Sequence, residues 1–304
     1  MFVPPEIIKA EVFATLPDRY RRVNEVPPWA AVRRGGKPVH SFLEGPSFDR
    51  AGNLYVTDIP FGRVFRISPA GVFDLVAEYD GEPNGLKIHK DGRAFITDYK
   101  NGIMTLDLAT GAVSPALERR YSERFKGVND LFFAGNGDMY FTDQGRTGHQ
   151  DPTGRVYRWS AEGKLHCLLS SGLNPNGLVT NADESVLYVA MTNANAVWHL
   201  SLMPNEDVTA VGTFIQLSGG GGPDGMALTE DGGLVVTHAR FGAVWVFDAK
   251  GQPRWRVESC ASDFVTNVAF GGPDMKTLYI TDSGAGLVQI ARLPVAGRRM
   301  FSHQ

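Results

Sequence analysis

Six segments of this chain begin alike and develop alike. They read EGPSFDRAGNLYVTD from 44, NGLKIHKDGRAFITD from 84, NDLFFAGNGDMYFTD from 129, NGLVTNADESVLYVAM from 176, DGMALTEDGGLVVTH from 224 and NVAFGGPDMKTLYITD from 267. The starts lie 40 to 48 positions apart. That period suits a unit of four short strands and is too long for a leucine-rich repeat. Inside each unit a short apolar run meets a turn signal, such as Asp91-Gly92, Asn136-Gly137, Asp231-Gly232 or Gly52-Asn53. A β-branched and aromatic run follows, as in Leu54-Tyr55-Val56-Thr57 or Leu278-Tyr279-Ile280-Thr281, and is too short for a helix. Six such units in tandem predict an all-β fold, a six-bladed β-propeller formed by one domain over residues 1–304.

An open ring of blades would leave two sheet edges exposed. Residues 10–16 (AEVFATL) resemble the outer strands of the units yet precede the first of them. They are expected to supply the outer strand of the last blade, with the tail 298–301 as a competitor for the same place. Residues 17–43 carry weak strand signals and are expected to form a long loop over one face.

In a propeller the first strand of each blade lines the central channel. The six starting residues, Glu44, Asn84, Asn129, Asn176, Asp224 and Asn267, therefore converge on the axis. Asn-Gly and Asp-Gly pairs also mark turns, which accounts for any one of them. It does not account for Glu44, nor for six oxygen-bearing side chains without a basic one. Two carboxylates and four amides around one axis form a cage for a hard divalent cation. The second strands return to the same face and end at Asp58, Asp98, Asp143, Met191, His238 and Asp282. Asp58, Asp98 and Asp282 read as strand-end turn residues. Asp143 and His238 are candidates for proton transfer or substrate contact, and His149 lies in a loop at 146–154 able to overhang the site.

The formal charge of −3 offers no basic face for nucleic acid. No run approaches the roughly 18 apolar residues of a membrane span, and the start MFVPPEIIKAEVF has no signal-peptide pattern. A cytoplasmic protein is expected, with its two cysteines, Cys167 and Cys260, as buried free thiols. No nucleophile-elbow or phosphate-loop pattern occurs.

Four motifs occur in order and at blade spacing: Glu44-Gly-Pro with Asn53-Leu-Tyr-Val-Thr-Asp58, Asn129-Asp130, Pro175-Asn176-Gly177-Leu, and Pro223-Asp224-Gly225-Met. Together they resemble the senescence-marker-protein/gluconolactonase family, to which drug-responsive lactonases, paraoxonases and squid-type diisopropylfluorophosphatase are related. The resemblance spans about residues 10–293. It implies a metal-dependent lactonase holding one divalent ion, calcium first, with zinc, magnesium, manganese or iron(II) as alternatives. Glu44, Asn129, Asn176 and Asp224 match the positions that hold it. A lactone is the implied small-molecule substrate, with Asn84, Asn267, His238, Lys126 and His149 as candidate contacts. Asp224 is the first candidate to accept a proton from water, with Asp130 and Asp143 as alternatives. Sugar-lactone members carry an Arg two residues before the third-blade Asn. Here that position is Gly127, preceded by Lys126, and the pattern is closer to the drug-responsive branch. A phosphotriesterase using the same cage and a non-catalytic interaction module are the competing expectations.

Overall fold

The computed structural model describes residues 4–203 and 207–304. Six sheets of four antiparallel strands, one of them extended by a fifth strand, stand around an axis. In five the four strands run outward in chain order, and in the sixth the outermost strand comes from the chain start. The innermost strands are Leu43–Phe48, Pro83–Ile88, Val128–Phe133, Pro175–Thr180, Gly222–Leu228 and Val265–Gly271, defining blades 1 to 6. The second strands are Leu54–Asp58, Ala94–Asp98, Met139–Asp143, Val186–Met191, Leu234–Ala239 and Thr277–Asp282.

Both faces of each blade are covered by its neighbours, which explains why the second strands read as unbroken apolar runs. Six apolar layers fill the gaps between blades. Leu86, Ile96 and Val64 close the layer between blades 1 and 2. Val128, Phe141 and Ile103 do so between blades 2 and 3, and Val235, Val257, Leu278 and Ile280 between blades 5 and 6.

The chain start clasps the ring. Glu11–Thr15 pairs antiparallel with Leu287–Arg292 as the outer strand of blade 6. Glu6–Lys9 pairs parallel with Pro253–Glu258 as a fifth strand on blade 5. Two short strands thus tie together the blades nearest the chain end. The tail does not compete for either place. Gly297 bridges Thr229, the Arg298 guanidinium bonds Asn181 O and Glu184 Oε1 at 3.0 Å each, and Ser302 Oγ donates to Phe48 O at 3.3 Å. The Phe301 ring packs 5.4 Å from Phe133 and 4.9 Å from His89. The tail therefore lies across the channel mouth remote from the six starting residues. It covers a small cavity of about 70 Å³ lined by Ser47, Lys87, Val179, Met226 and Val268.

The long connector carries a short helix, Pro28–Arg33, introduced by Pro27-Pro28. Trp29 and Ala30 pack with Phe42 and Ile59, and Phe42 meets Phe264 at 5.4 Å, which seats the connector on blades 1 and 6. Cys167 and Cys260 are free, and neither is buried: Cys167 is half-buried on an outer strand of blade 3, and Cys260 is exposed in the connection between blades 5 and 6. No helix among the described residues is long and apolar enough to cross a membrane.

Candidate active site

All six starting residues lie at an interruption of the β-ladder. The register between first and second strands shifts at Glu44/Ser47, Pro83/Leu86, Val128/Leu131, Pro175/Leu178, Pro223/Met226 and Val265/Asn267. A bulge re-aims side chains and leaves backbone groups without ladder partners. Here the Asn-Gly and Asp-Gly pairs sit inside strands, not in turns. Their glycines answer to crowding between blades: a Cβ on Gly225 would lie 2.1 Å from Asn267 Oδ1, and one on Gly177 would lie 2.4 Å from Asp224 O.

Hydroxyls supply what the ladder lacks. Thr57 Oγ1 donates to Asn84 O (2.6 Å), Thr97 to Asn129 O, Thr142 to Asn176 O (2.9 Å), Thr192 to Pro223 O (2.8 Å), Thr237 to Thr266 O (2.7 Å) and Ser283 to Leu43 O. Each bond runs from one blade to the innermost strand of the next, so the ring closes through side chains. Thr57, Thr97, Thr142 and Thr237 are fully buried. Thr142 also accepts from Asp130 N at 3.1 Å.

The axial side chains are buried except Asp224, which is half-buried, and several are joined to one another. Asn267 Nδ2 donates to Glu44 Oε2 at 2.9 Å and to Asp130 Oδ2 at 3.3 Å, while its Oδ1 accepts from Val268 N at 2.8 Å. Glu44 Oε2 also accepts from Gly45 N at 2.8 Å, and Asp130 Oδ1 from Leu131 N at 2.8 Å. Asn176 hydrogen-bonds Asp224 and donates to Thr192 Oγ1 at 3.2 Å. Burial, then the charge of Glu44, then that of Asp130, raise the Asp224 pKa well above the usual carboxylate range. Burial and the Asp130 charge raise that of Glu44. Burial raises Asp130 as well, against the relief of Lys87, whose Nζ also bonds Pro46 O at 3.3 Å. Asn84 and Asn129 complete the ring, both buried.

Three acids that repel one another favour a bound cation, and the surrounding donors are hard oxygens. Among the described residues no group of three or more His, Cys, Asp or Glu side chains is disposed to hold a metal. A cation at this place would therefore draw on amide oxygens as well.

The second-strand ends do different work. Asp58 accepts from Phe42 N at 2.6 Å and pairs with Arg63. Asp98 accepts from Tyr79 OH, Glu82 N, Lys100 N and Asn101 N, and Asp282 from Ser262 N and Gln289 Nε2. These acids pin the loops that lead into the first strands. Asp143 accepts from Gly127 N at 2.9 Å through Oδ1 and has its pKa raised to about 6 by burial. Among the described residues no hydrogen bond joins it to the axial side chains. His238 stands beside Pro223 in register, bonds Gly219 O at 3.0 Å, receives Trp245 Nε1 at 3.3 Å and stacks on Phe241 at 4.6 Å. Lys126 reaches Thr153 Oγ1, and His149 is exposed on a turn bridged between Gly148 and Asp151.

Sequence reasoning missed the hydroxyl ring, although the repeated Thr before the strand-end Asp was its signal. It also missed Lys87, whose charge bears on Asp130 and which no repeat marks.

The fold is a six-bladed propeller with three acidic side chains gathered at one channel mouth. Residues 42–284 match the SMP-30/gluconolactonase/LRE-like family, and the chain belongs to it. The chain is 29% identical over 239 residues to lactonase drp35 of Staphylococcus aureus (strain MRSA252), spanning 74% of this chain and 71% of that protein. Its fold matches a gluconolactonase from Xanthomonas campestris (TM-score 0.75, 22% identity, 97% of this chain and 100% of that one). It also matches the calcium-binding protein regucalcin from Agrobacterium tumefaciens (TM-score 0.77, 22% identity, 98% of each chain).

Proposed function

We propose that the chain is a metal-dependent lactonase that opens the ring ester of a small lactone with water. The observation that carries this is the cluster of buried Glu44 and Asp130 with half-buried Asp224, mutually repelling at one channel mouth. The drp35 relative, a lactonase by name, adds its weight.

Glu44, Asn129, Asn176 and Asp224 are the residues that would hold a divalent ion, calcium first. When bound, the ion supplies electrophilic polarisation of the lactone carbonyl. The chain's own residues do the rest. Asp224 takes the proton released by the attacking water, because its carboxylate is central to the acid cluster and is oriented by Asn176. Asp130, held through Asn267, is the nearest alternative acceptor. Asp143, which accepts from Gly127 N at 2.9 Å, is the more remote alternative. Asn84 and Asn267 line the axis, and the covered far mouth leaves one route for substrate.

Elemental analysis of the purified protein, followed by a panel of γ- and δ-lactones with and without chelator, tests this. Activity that disappears on complete metal removal and returns with one ion is expected. Full activity without metal would overturn it. Hydrolysis of phosphotriesters in place of lactones would move the assignment to that chemistry.

A further inference from the structure

Arg33 and Arg34 are neighbours in sequence at the end of the connector helix, yet they touch opposite sides of the ring. The Arg33 guanidinium lies 4.3 Å from the centre of the Tyr99 ring in blade 2, whose phenol end rests on Gly127, and donates to Gly145 O in blade 3 at 3.4 Å. The Arg34 guanidinium lies 4.5 Å from the Phe264 ring and 4.9 Å from the Phe42 ring, at the entries to blades 6 and 1. The helix end therefore overhangs the mouth at which the axial residues start.

Arg240 comes to the same place from blade 5. It follows the second strand Leu234–Ala239, its stem lies against Gly221, three residues before Asp224, and its guanidinium is 5.3 Å from the Phe264 ring. Its φ of +57° is a left-handed conformation that disfavours any residue with a Cβ, so the turn alone does not explain an arginine.

Two guanidiniums thus lie against one phenyl ring with no acid between them. Among the described residues neither has an ion pair or a side-chain hydrogen bond, whereas Arg22, Arg63, Arg93, Arg155 and Arg292 each hold a carboxylate. Asp58 is taken by Arg63 and Phe42 N, and the exposed Asp263 pairs with neither arginine. Burial, then the charge of Arg240, lower the Arg34 pKa, and no carboxylate opposes them. Stacking uses the flat face of a guanidinium and leaves its in-plane N–H fork free. Arg34 is half-buried and Arg240 exposed, so both forks remain open to solvent. An anion between them would relieve their repulsion, and a carboxylate matches the fork in shape and charge. Glu44, Asp130 and Asp224 repel an anionic substrate, and two positive charges at the rim offset that repulsion.

We infer that Arg34 and Arg240 form an anion subsite at the rim of the mouth, which selects lactones carrying a carboxylate away from the ring ester. The inference rests on the lactonase reading for its substrate class. The two arginines stand apart from the axial acids.

The test compares 5-oxotetrahydrofuran-2-carboxylate with 5-oxotetrahydrofuran-2-carboxamide, γ-lactones of one shape that differ in charge, on the purified metal-loaded protein. Wild type is expected to favour the carboxylate in kcat/KM by roughly tenfold, the worth of a charge-assisted hydrogen bond, and by less as salt is raised. Arg240→Met, which keeps the stem, is expected to bring that ratio close to one, mainly through KM, and Arg34→Met to lower it too. Arg240→Lys, which keeps the charge but not the fork, is expected to retain part of it. Arg93→Met, in a turn of the opposite face, controls for net charge and is expected to keep the ratio. In parallel, calorimetric binding of pyroglutamate and pyroglutamide, the lactam counterparts, reads the subsite without ring opening. Circular dichroism checks that each variant is folded; Arg240 is exposed, so its variant carries the test even where Arg34→Met unfolds. Hydrolysis of neither lactone, together with a lactam preference lost in Arg240→Met, would sink the lactonase reading and leave the subsite standing. A wild type with no preference for the carboxylate in either pair, or a preference intact in Arg240→Met, would overturn the subsite and leave the two arginines as clamps on the connector.

Discussion

Replacing Thr142 by Val keeps the shape of the side chain and removes one oxygen. In the structure that oxygen serves two blades: it donates to Asn176 O at 2.9 Å and accepts from Asp130 N at 3.1 Å. Both groups lie at bulges, so the ladder offers neither an alternative partner. Thr142 is fully buried, so water cannot stand in without displacing neighbours. Leaving a buried donor and a buried acceptor unsatisfied costs about 1–3 kcal/mol each, or about 2–5 kcal/mol for Thr142→Val. For a chain of this size that corresponds to a melting midpoint lowered by roughly 3–8 °C. Thr105→Val is the control, because Thr105 Oγ1 bonds Ser114 O at 3.2 Å on a partly exposed strand and is expected to change stability by less than about 0.5 kcal/mol. Thr142→Ser, which restores the oxygen, is expected to recover most of the loss. Thermal and urea unfolding followed by circular dichroism measure all three. If Thr142→Val melts within a degree or two of Thr105→Val, the hydroxyl ring does not support the bulges and the account of how the axial residues are held is wrong.

Three further outcomes are expected. Gly225→Ala would drive a methyl to within 2.1 Å of Asn267 Oδ1, moving the amide that joins Glu44 to Asp130; lactone kcat/KM is expected to fall more than tenfold, and an unchanged value would refute the crowding argument. The Asp143 carboxyl has its pKa raised from 3.8 to about 6, so between those values the native state binds more protons than the unfolded one. Stability contributed by this group therefore falls as pH rises through that window, by about 2–3 kcal/mol in all, and unfolding of Asp143→Asn against pH is expected to lack that slope. Phe301→Ala removes a ring buried against Phe133 and His89 and is expected to cost about 3 kcal/mol in urea unfolding, with a smaller effect on KM than on stability because the tail lies at the far mouth.

The blades were legible because each needs the same apolar second strand and the same turn, so the requirement is written six times. The axial residues were legible for a related reason: Glu44 is no turn former, and one oxygen-bearing side chain per blade at constant phase calls for a common centre. What escaped was conformation that no residue type announces. Asn84-Gly85 and Asp224-Gly225 look like turns, yet they are bulges whose glycines answer to the neighbouring blade, a contact remote in sequence. The joining of Asn267 to both Glu44 and Asp130 spans 223 and 137 positions and has no local signal. Tyr99 and Gly127 are likewise complementary only in space. The connector helix was hidden because its anchor is tertiary: Trp29 packs on Phe42 at 4.9 Å, and six residues have little helical stability alone.

In a repeat protein a purely structural demand recurs in every unit, and so does its solution. Departures from the repeat therefore mark positions where something besides the fold sets the residue. The Gly after the axial residue recurs in blades 1, 2, 4 and 5 but becomes Asp130 in blade 3, which brings a third acid to the axis. The strand-end Asp recurs in blades 1, 2, 3 and 6, and in blades 1, 2 and 6 it is saturated with partners. In blade 3 it retains one free oxygen, because Arg155 is drawn away by Glu123. Both departures fall in one blade, on either side of Asn129. The fold alone requires neither, since five other blades close without them. Their coincidence places an extra axial acid and an unsaturated buried carboxylate on the side of the channel mouth formed by blade 3.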